Sequence, residues 1–259
     1  MTASEAGALV VEGVLVVDGV LFDVDDTLTD TRGAFRDALG ALARRYLPHL
    51  PPERDDELVA MWRADAGGHY RAYTRGETDF RAQRMIRANE LHAAFGGPQL
   101  DDAAYDRWDS AFEEAFAAGW RAHPDALPAV DVLLAAGLRV GALSNASVAY
   151  QTTKLARTGF AGRVPMLVGV DTLGVGKPDP ACFLEACRRL GTDPARTVYV
   201  GDELDIDAVA ARHAGLVGIW LDRPDGRRVE VGADEVARGG VAVIRGLDEL
   251  PALVGLDRR

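Results

Sequence analysis

Short apolar runs that end in polar residues are the feature that most limits how this chain can fold. The run Val20-Leu21-Phe22 leads into the acidic segment Asp23-Val24-Asp25-Asp26-Thr27, and residues 198–200 lead into Gly201-Asp202. Similar runs occupy residues 138–143, 164–168 and 217–221. Strands that are apolar on both faces are typical of parallel sheets whose two sides are covered by helices.

Helical patterns separate these apolar runs. They cover residues 127–136, 180–190 and 205–214, and each is followed by a glycine of the kind that often ends a helix. Alternating strands and helices predict an α/β fold with a doubly wound parallel sheet. In such a sheet, functional groups collect at the edge where the strands end.

The two ends of the chain carry weaker patterns. A short strand near residues 241–244 and a last helix from Asp248 are expected after a loop at 224–226. Residues 1–13 are either a loose tail or an extra edge strand, and the sequence leaves both interpretations open.

The segment from residue 31 to residue 121 is of a different kind. It is rich in Arg, Ala, aromatic and acidic residues, and it has no clear strand run. Phe35, Leu39, Leu42 and Tyr46 recur at helical spacing. We therefore predict that a core made of residues 1–30 and 122–259 is interrupted by an all-helical cap domain, residues 31–121.

Composition and charge limit the partners of this chain. Lys and Arg number 29 and Asp and Glu number 40, which gives a net charge of −11. Nucleic acid is not an expected partner, because non-specific binding needs a basic face. No membrane partner is expected either, because the most apolar stretch, residues 8–22, is broken by Glu12 and Asp18.

Cellular location is judged from the chain start and from the cysteines. Residues 1–7 include no Lys or Arg, so the positive region of a secretory signal is missing there. Cys182 and Cys187 lie five residues apart on one predicted helix, where their side chains point in different directions. The reducing cytoplasm is the simplest location for such a chain.

The first acidic segment has the pattern of a metal site. Asp23 and Asp25 are alternate residues at a strand end, so both carboxylates can reach one small volume. With Asp26 beside them, the three charges repel, and a divalent cation removes the conflict. Oxygen ligands suit Mg²⁺. The competing interpretation is a polar turn followed by a helix cap.

A second acidic segment follows another apolar strand, in Gly201-Asp202-Glu203-Leu204-Asp205-Ile206-Asp207. If the two strands are neighbours, Asp202 can meet Asp23 across the same metal, while Asp207 braces the site one helical turn on. Acidic residues are also common at helix N-termini, so capping is an equally strong interpretation of this segment alone.

Two further segments could bind an anion. Ser144-Asn145 offers a hydroxyl, an amide and backbone N–H groups at a strand end, although a plain helix cap is the commoner use of such a pair. Lys177 is an isolated cation in the Gly- and Pro-containing turn 174–180, where a solvated loop lysine is the alternative.

The order of these signals along the chain is more specific than any one of them. In order and context, the chain closely resembles the haloacid dehalogenase superfamily of hydrolases. Its four motifs stand here as Leu21-Phe22-Asp23-Val24-Asp25-Asp26-Thr27-Leu28, Gly141-Ala142-Leu143-Ser144-Asn145, Gly176-Lys177-Pro178-Asp179-Pro180, and Tyr199-Val200-Gly201-Asp202 leading to Asp207. The resemblance covers the whole predicted Rossmann-like core, and the position of the insert matches the family's helical cap.

The resemblance implies roles for individual residues. Asp23 would be the nucleophile that forms an aspartyl-phosphate, and Asp25 would be the general acid and then the general base. Mg²⁺ would be held by the Asp23 carboxylate, the Asp25 backbone carbonyl and Asp202, with support from Asp207. Ser144 and Lys177 would bind phosphate oxygens. Substrate-binding residues are expected to be Thr27, Ser144, Asn145, Lys177 and, in the cap, Arg84.

Within the superfamily, the motifs favour hydrolysis of a small phosphate monoester with Mg²⁺ as the cofactor. A 2-haloacid dehalogenase would lack the acid at Asp25, and a phosphonatase would need a cap lysine, whereas residues 31–121 include none. A phosphomutase or phosphotransferase, or a 2-haloacid dehalogenase of the same superfamily, remains an alternative. A non-catalytic binding module is disfavoured because all four motifs are intact. The expected partner is a small phosphorylated metabolite, and the expected assembly is a monomer or homodimer.

Overall fold

The computed structural model describes residues 10–11, 14–224 and 231–256. Its strands are β1 (Val10–Val11), β2 (Val14–Leu15), β3 (Gly19–Phe22), β4 (Arg139–Leu143), β5 (Met166–Val168), β6 (Thr197–Gly201), β7 (Val217–Leu221) and β8 (Ala242–Ile244). Its helices are α1 (Thr31–Tyr46), α2 (Asp55–Ala64), α3 (His69–Thr74), α4 (Phe80–Ala94), α5 (Asp102–Ala118), α6 (Ala126–Ala135), α7 (Val148–Arg157), α8 (Val170–Leu173), α9 (Pro180–Leu190), α10 (Ala210–His213), α11 (Ala233–Gly239) and α12 (Leu250–Leu253).

Six strands form one sheet in the order β5-β4-β3-β6-β7-β8, and every neighbouring pair is parallel. The predicted doubly wound parallel sheet is therefore confirmed. β3 lies between β4 and β6, where Phe22 aligns with Ala142 on one side and with Val200 on the other. This register brings the residues that follow β3, β4 and β6 to the same edge of the sheet.

Both faces of β3 are buried, as its uninterrupted apolar run predicts. Val20 and Phe22 pack into one hydrophobic cluster, and Leu21 packs with Phe183 and Tyr199 into another. Val20, Leu21 and Phe22 are each 0% exposed. Burial of an apolar side chain of this size contributes about 1.5–3 kcal/mol to folding. The same burial anchors the strand end that carries Asp23.

The unit that spans Asp30–Arg121 is entirely described, and it is all helical, as predicted. Aspartate N-caps fix where its long helices begin: the side chain of Asp30 accepts from the Gly33 N–H at the start of α1, and Asp101 does the same at α5. Its core is aromatic, with Trp108 and Phe112 stacked at 5.4 Å between ring centroids. The other compact unit contains the chain before Asp30 and after Arg121.

Several predicted elements differ in detail from the observed ones. The strand predicted over residues 164–168 begins at Met166, because the N–H of Val164 instead closes a turn onto the carbonyl of Phe160. The last helix begins at Leu250 after a 3₁₀ turn over Leu247–Glu249. Near the N-terminus, β1 and β2 pair with each other as a two-stranded antiparallel ribbon. The rest of the open question about residues 1–13 falls on residues 1–9 and 12–13, which lie outside the described residues.

Residues 205–214, predicted as one helix, belong to two successive elements of different helical type. Leu204–Val209 forms a π-helical turn, in which the N–H groups of Asp207 and Ala208 both donate to the Glu203 carbonyl, and α10 follows. The wide turn brings the Ala208 carbonyl against Gly218, where any side chain would overlap it. Single π turns of this kind occur often at functional sites.

Within the described ranges, no helix combines the length and hydrophobicity that crossing a bilayer requires.

Candidate active site

The loop after β3 places Asp23 at the edge of the sheet. The Asp23 N–H donates to the Val200 carbonyl at 2.9 Å, which extends the pairing with β6 by one residue. The chain then turns back, because the N–H and hydroxyl groups of Thr29 both donate to the Val24 carbonyl. Asp23 is buried in consequence, with 5% of its surface exposed.

Lys177 points its ammonium group at three oxygen atoms. Its Nζ lies 2.6 Å from Asp23 Oδ1, 2.6 Å from Asp207 Oδ1 and 2.9 Å from the Tyr199 hydroxyl. Burial lowers the pKa of the Lys177 ammonium, but the charges of Asp207 and Asp23 outweigh this effect and hold the pKa well above its usual value. The buried Lys177 is therefore a permanent cation, rather than the solvated loop lysine of the alternative interpretation.

Asn145 fixes the backbone of the Lys177 turn. Its Nδ2 donates to the Lys177 carbonyl at 3.0 Å, and its Oδ1 accepts from the Lys177 N–H at 2.6 Å. The amide thus satisfies both polar backbone groups of Lys177 at once. The expected contact of Asn145 with substrate stays a prediction, whereas its hold on the turn is a direct observation.

Tyr199 is part of this arrangement, although no role was predicted for it from the sequence. Burial raises the pKa of the Tyr199 hydroxyl well above its usual value, so the group keeps its proton and donates to the Leu143 carbonyl at 3.1 Å. The same oxygen accepts from Lys177. A usable signal was present, since a tyrosine in a fully buried strand needs a partner for its hydroxyl.

Three carboxylates converge beside Lys177. One oxygen from each of Asp23, Asp202 and Asp207 lies within 4.8 Å of the others. Burial raises the pKa of Asp23 to about 8, with Lys177 opposing the shift and Asp207 adding to it. Burial, then the charges of Asp26 and Glu203, raise the pKa of Asp202 well above its usual value.

The raised pKa values of Asp23 and Asp202 indicate that these two buried carboxylates are poorly compensated by the protein's own charges. A divalent cation between them would favour the ionised forms, and an all-oxygen ligand set suits a hard cation. The Glu203 N–H donates to Asp207 Oδ2 at 3.0 Å, and this bond fixes the Asp207 carboxylate in the cluster. The cluster of Asp23, Asp202 and Asp207 can therefore hold a divalent metal ion.

Gly201 leaves the space that Asp207 occupies. A methyl group on Gly201 would lie 2.5 Å from Cβ of Asp207, so Gly201→Ala must displace that side chain. Because displacements of about 1 Å at a catalytic site can cost about 100-fold in rate, we expect turnover to fall by about 10- to 100-fold. Steady-state kinetics of the variant check this, with thermal unfolding as a test of folding.

Gly232→Ala is the matched control for this substitution. Gly232 has an ordinary φ of −76°, and a Cβ there would meet no atom of the described residues within 4 Å. Its activity should equal that of the wild type. If Gly201→Ala is equally active, the position of Asp207 does not matter for turnover.

Ser144 lies at the end of β4 and is 1% exposed. Its Oγ accepts from the Ala146 N–H at 3.2 Å and from Gln151 Nε2 at 2.9 Å. Helix α7 is capped by Ser147, whose side chain accepts from the Tyr150 N–H. Ser144 is therefore not the helix cap that the alternative interpretation would make it.

The Asp25 carboxylate turns toward α7. Lys154 Nζ lies 2.5 Å from Asp25 Oδ1, and Gln151 Nε2 donates to Asp25 Oδ2 at 2.6 Å. Neither Gln151 nor Lys154 was predicted as a site residue from the sequence. The sequence did carry a signal for Lys154, because lysine is rare in this chain: it has only two lysines, and the other one is Lys177.

The remaining predicted site residues are Thr27 and Arg84. Thr27 is fully buried, and its hydroxyl has no hydrogen-bond partner among the described residues. In the helical unit, Arg84 pairs with Asp109 and Glu113 and stacks over the Phe112 ring at 4.3 Å. Contact of Thr27 or Arg84 with substrate stays a prediction.

The fold and the site define a class of protein. A family model described as haloacid dehalogenase-like hydrolase matches residues 17–215. The chain belongs to this family of hydrolases, as the order of its four motifs indicates.

Two phosphatases and one solved structure are similar to this chain. The chain is 31% identical over 214 residues to the glyceraldehyde 3-phosphate phosphatase of Methanopyrus kandleri, which covers 80% of this chain and 85% of the relative. It is also 31% identical over 204 residues to the N-acetylmuramic acid 6-phosphate phosphatase of Pseudomonas aeruginosa, covering 76% and 77%. A solved structure of the putative HAD-hydrolase YfnB from Bacillus subtilis, bound to magnesium, shares the fold with a TM-score of 0.72 at 20% identity, over 92% of this chain and 98% of that one.

Proposed function

We propose that this protein is a Mg²⁺-dependent phosphatase that hydrolyses a small phosphate monoester through an aspartyl-phosphate. The observation that carries the proposal is the convergence of Asp23, Lys177, Asp202 and Asp207 at the carboxyl ends of β3 and β6. It combines a carboxylate nucleophile, a buried cation and a set of metal ligands in one place. The relatives that are named phosphatases support the same activity.

The first chemical step is attack on phosphorus by a carboxylate oxygen of Asp23. A bond forms between this oxygen and phosphorus, and the bond from phosphorus to the ester oxygen breaks. The protonated form of Asp25 gives its proton to the departing ester oxygen, so that an alcohol leaves. The product of this step is an aspartyl-phosphate on Asp23.

The second step returns the enzyme to its starting state. Asp25, now ionised, takes a proton from a water molecule as the water oxygen attacks phosphorus. The bond between phosphorus and Asp23 breaks, and inorganic phosphate leaves. Lys177 and Ser144 bind phosphate oxygens throughout both steps, because a buried ammonium and a hydroxyl are suitable donors to them.

The residues of the cluster fit a magnesium ion. The carboxylates of Asp23 and Asp202 and the backbone carbonyl of Asp25 would hold it, and Asp207 would support it. When bound, Mg²⁺ supplies positive charge that offsets the negative charge of the phosphate and of the carboxylates. Lys177 alone cannot do so, because its ammonium is already shared between Asp23 and Asp207.

The cysteines are consistent with a cytoplasmic location, which we include in the proposal. Cys182 and Cys187 on α9 are both free and buried. Burial raises the pKa of Cys182 to about 11, which keeps this thiol protonated and unreactive.

The test of the proposed function is release of p-nitrophenol from p-nitrophenyl phosphate, with Mg²⁺ and with EDTA. Turnover should require the metal, because the carboxylate cluster is otherwise uncompensated. Phosphorylated metabolites, including those named for the relatives, are then compared by phosphate release. Absence of turnover on every ester, by a folded protein with Mg²⁺, contradicts the proposal, and 2-haloacid and mutase assays would follow.

A competing alcohol separates hydrolysis from phosphoryl transfer. If water is the acceptor, phosphate release should equal p-nitrophenol release when glycerol is added. A shortfall of phosphate, matched by glycerol phosphate, would indicate a phosphotransferase.

A further inference from the structure

Helix α7 carries two buried side chains that contact both oxygens of Asp25. Gln151 and Lys154 lie three residues apart, so they share one face of the helix. They are 0% and 1% exposed, whereas the Asp25 side chain is 35% exposed. Gln151 and Lys154 thus hold the Asp25 carboxylate, and part of the Asp25 side chain remains exposed.

When Asp25 is ionised, the amide of Gln151 has one favourable orientation. Its Nε2 donates one hydrogen to Asp25 Oδ2 and the other to Ser144 Oγ. Rotating the amide would turn Oε1 toward the Asp25 carboxylate, where two acceptors would repel. Oε1 itself has no partner among the described residues, although it is buried. The amide therefore leaves its own acceptor unsatisfied in order to bridge Asp25 and Ser144.

This orientation decides what Ser144 can do. Its Oγ already accepts two hydrogen bonds, from Gln151 and from the Ala146 N–H. A hydroxyl has two acceptor positions and one hydrogen, so only the hydrogen is left for a new contact. Ser144 is thereby fixed as a donor, which is what a phosphate oxygen requires.

Stability alone is a poor explanation for the buried Lys154. An ion pair in which only the lysine is buried recovers little more than the desolvation cost of that lysine, and an apolar side chain of similar size often stabilises as well or better. The unsatisfied buried amide oxygen of Gln151 carries a further desolvation cost. The arrangement gains nothing evident for folding, but it places Asp25 and Ser144 in fixed positions.

We propose that Gln151 and Lys154 are positioning residues for catalysis. Lys154 and Gln151 hold the Asp25 carboxylate where it exchanges protons with the ester oxygen and with water. Gln151 also turns the Ser144 hydroxyl hydrogen toward the phosphate. This inference rests on the proposed function, because it assigns a purpose to contacts of the proposed acid and base.

Substitution of Lys154 tests the positioning of Asp25, and substitution of Gln151 tests the orientation of Ser144 as well. Lys154→Met should lower kcat by about 10- to 100-fold, part of the effect of a general acid or base, with KM changed less than about 2-fold. Gln151→Met should lower kcat and also raise KM, because Ser144 loses its orientation. Inhibition by inorganic phosphate should weaken in Gln151→Met and not in Lys154→Met, and Lys154→Arg should recover part of the lost kcat.

A double-mutant cycle tests whether Lys154 acts through Asp25. In the Asp25→Asn background, Lys154→Met should have little further effect, because the group that it positions is already gone. Thr158→Val is the matched control: it removes the bond from the Thr158 hydroxyl to the Lys154 carbonyl, and it leaves Asp25 and Ser144 untouched. Its kcat should stay within about 2-fold of the wild type.

The outcomes distinguish this inference from the proposed function. If the wild type is active and folded Lys154→Met and Gln151→Met keep its kcat and KM, the positioning role is wrong and the phosphatase is not. Equal losses from Lys154→Met with and without Asp25 also overturn the role, since they indicate a general structural effect. If the wild type itself hydrolyses no phosphate ester, the proposed function fails, and the positioning role fails with it.

Discussion

Asp23→Asn is expected to lower kcat for p-nitrophenyl phosphate by at least about 1,000-fold, because an amide cannot replace a carboxylate as the nucleophile that bonds to phosphorus. The amide keeps the size of the side chain, and its oxygen can still accept from Lys177. Folding should not suffer, since burial already disfavours the ionised carboxylate at this position. In EDTA, the variant should therefore unfold at a temperature equal to or above that of the wild type.

Two measurements check this prediction. Steady-state kinetics with Mg²⁺ give the loss of turnover, and mass spectrometry of acid-quenched enzyme should detect a phosphoryl group on wild type and none on Asp23→Asn. Asp18→Asn is the matched control, because Asp18 lies just before the other end of β3 and pairs there with the exposed Arg196. That control should remain fully active. A folded Asp23→Asn protein that keeps a tenth of the wild-type rate would exclude Asp23 as the nucleophile.

The sheet and the residues at its edge could be predicted because their signals are local. Val20-Leu21-Phe22 is apolar without interruption, and a strand of that kind needs cover on both faces. Parallel strands align their carboxyl ends, so the polar residues after β3, β4 and β6 had to come together once these strands were neighbours. The proximity of Asp23 to Asp202 follows from that alignment.

The contacts of Gln151 and Lys154 with Asp25 could not be predicted from such local signals. Gln151 and Lys154 occupy ordinary helical positions, and the group that they contact lies 126 and 129 residues away along the chain. Only the packing of α7 against the sheet edge brings them to Asp25. A lysine in a helix is usually solvated, so its local pattern gives no sign that the side chain is fully buried.

The wide turn that carries Asp207 was also beyond the sequence pattern. The acidic residues of 202–207 read equally well as an ordinary helix start. The observed π turn is accompanied by a close approach of Ala208 to Gly218 on β7, a contact that no local periodicity encodes. The consequence is functional, because this turn sets the position of the Asp207 carboxylate.

Lys177→Met is expected to damage both stability and turnover. The ammonium is buried and lies 2.6 Å from both Asp23 and Asp207, so its removal leaves two carboxylates without their cation. Breaking a buried ion pair by removing one partner costs about 3–5 kcal/mol, and we expect the free energy of unfolding in EDTA to fall by about this amount. Turnover should fall by at least about 1,000-fold, because phosphate also loses a charged donor.

Added Mg²⁺ should restore part of the stability of Lys177→Met but not its activity. A cation bound to the folded protein stabilises it by mass action, and it supplies the positive charge that the carboxylates have lost. The phosphate contact of Lys177 is not replaced by this binding. Urea unfolding with Mg²⁺ and with EDTA separates the two effects, and the same samples serve for kinetics.

Asp202→Asn is the opposite change in the same cluster and serves as the comparison. It removes one of three crowded carboxylates, and the pKa of Asp202 is raised by burial and by neighbouring acids. In EDTA it should therefore be at least as stable as the wild type, while it loses most of the stabilisation by Mg²⁺ and most of the turnover. We thus expect Lys177→Met to lose stability and Asp202→Asn to lose none. This pair of results is expected of a site that has an excess of carboxylates and binds a metal ion. Equal stability of Lys177→Met and wild type in EDTA would show instead that the buried ammonium is not what balances Asp23 and Asp207.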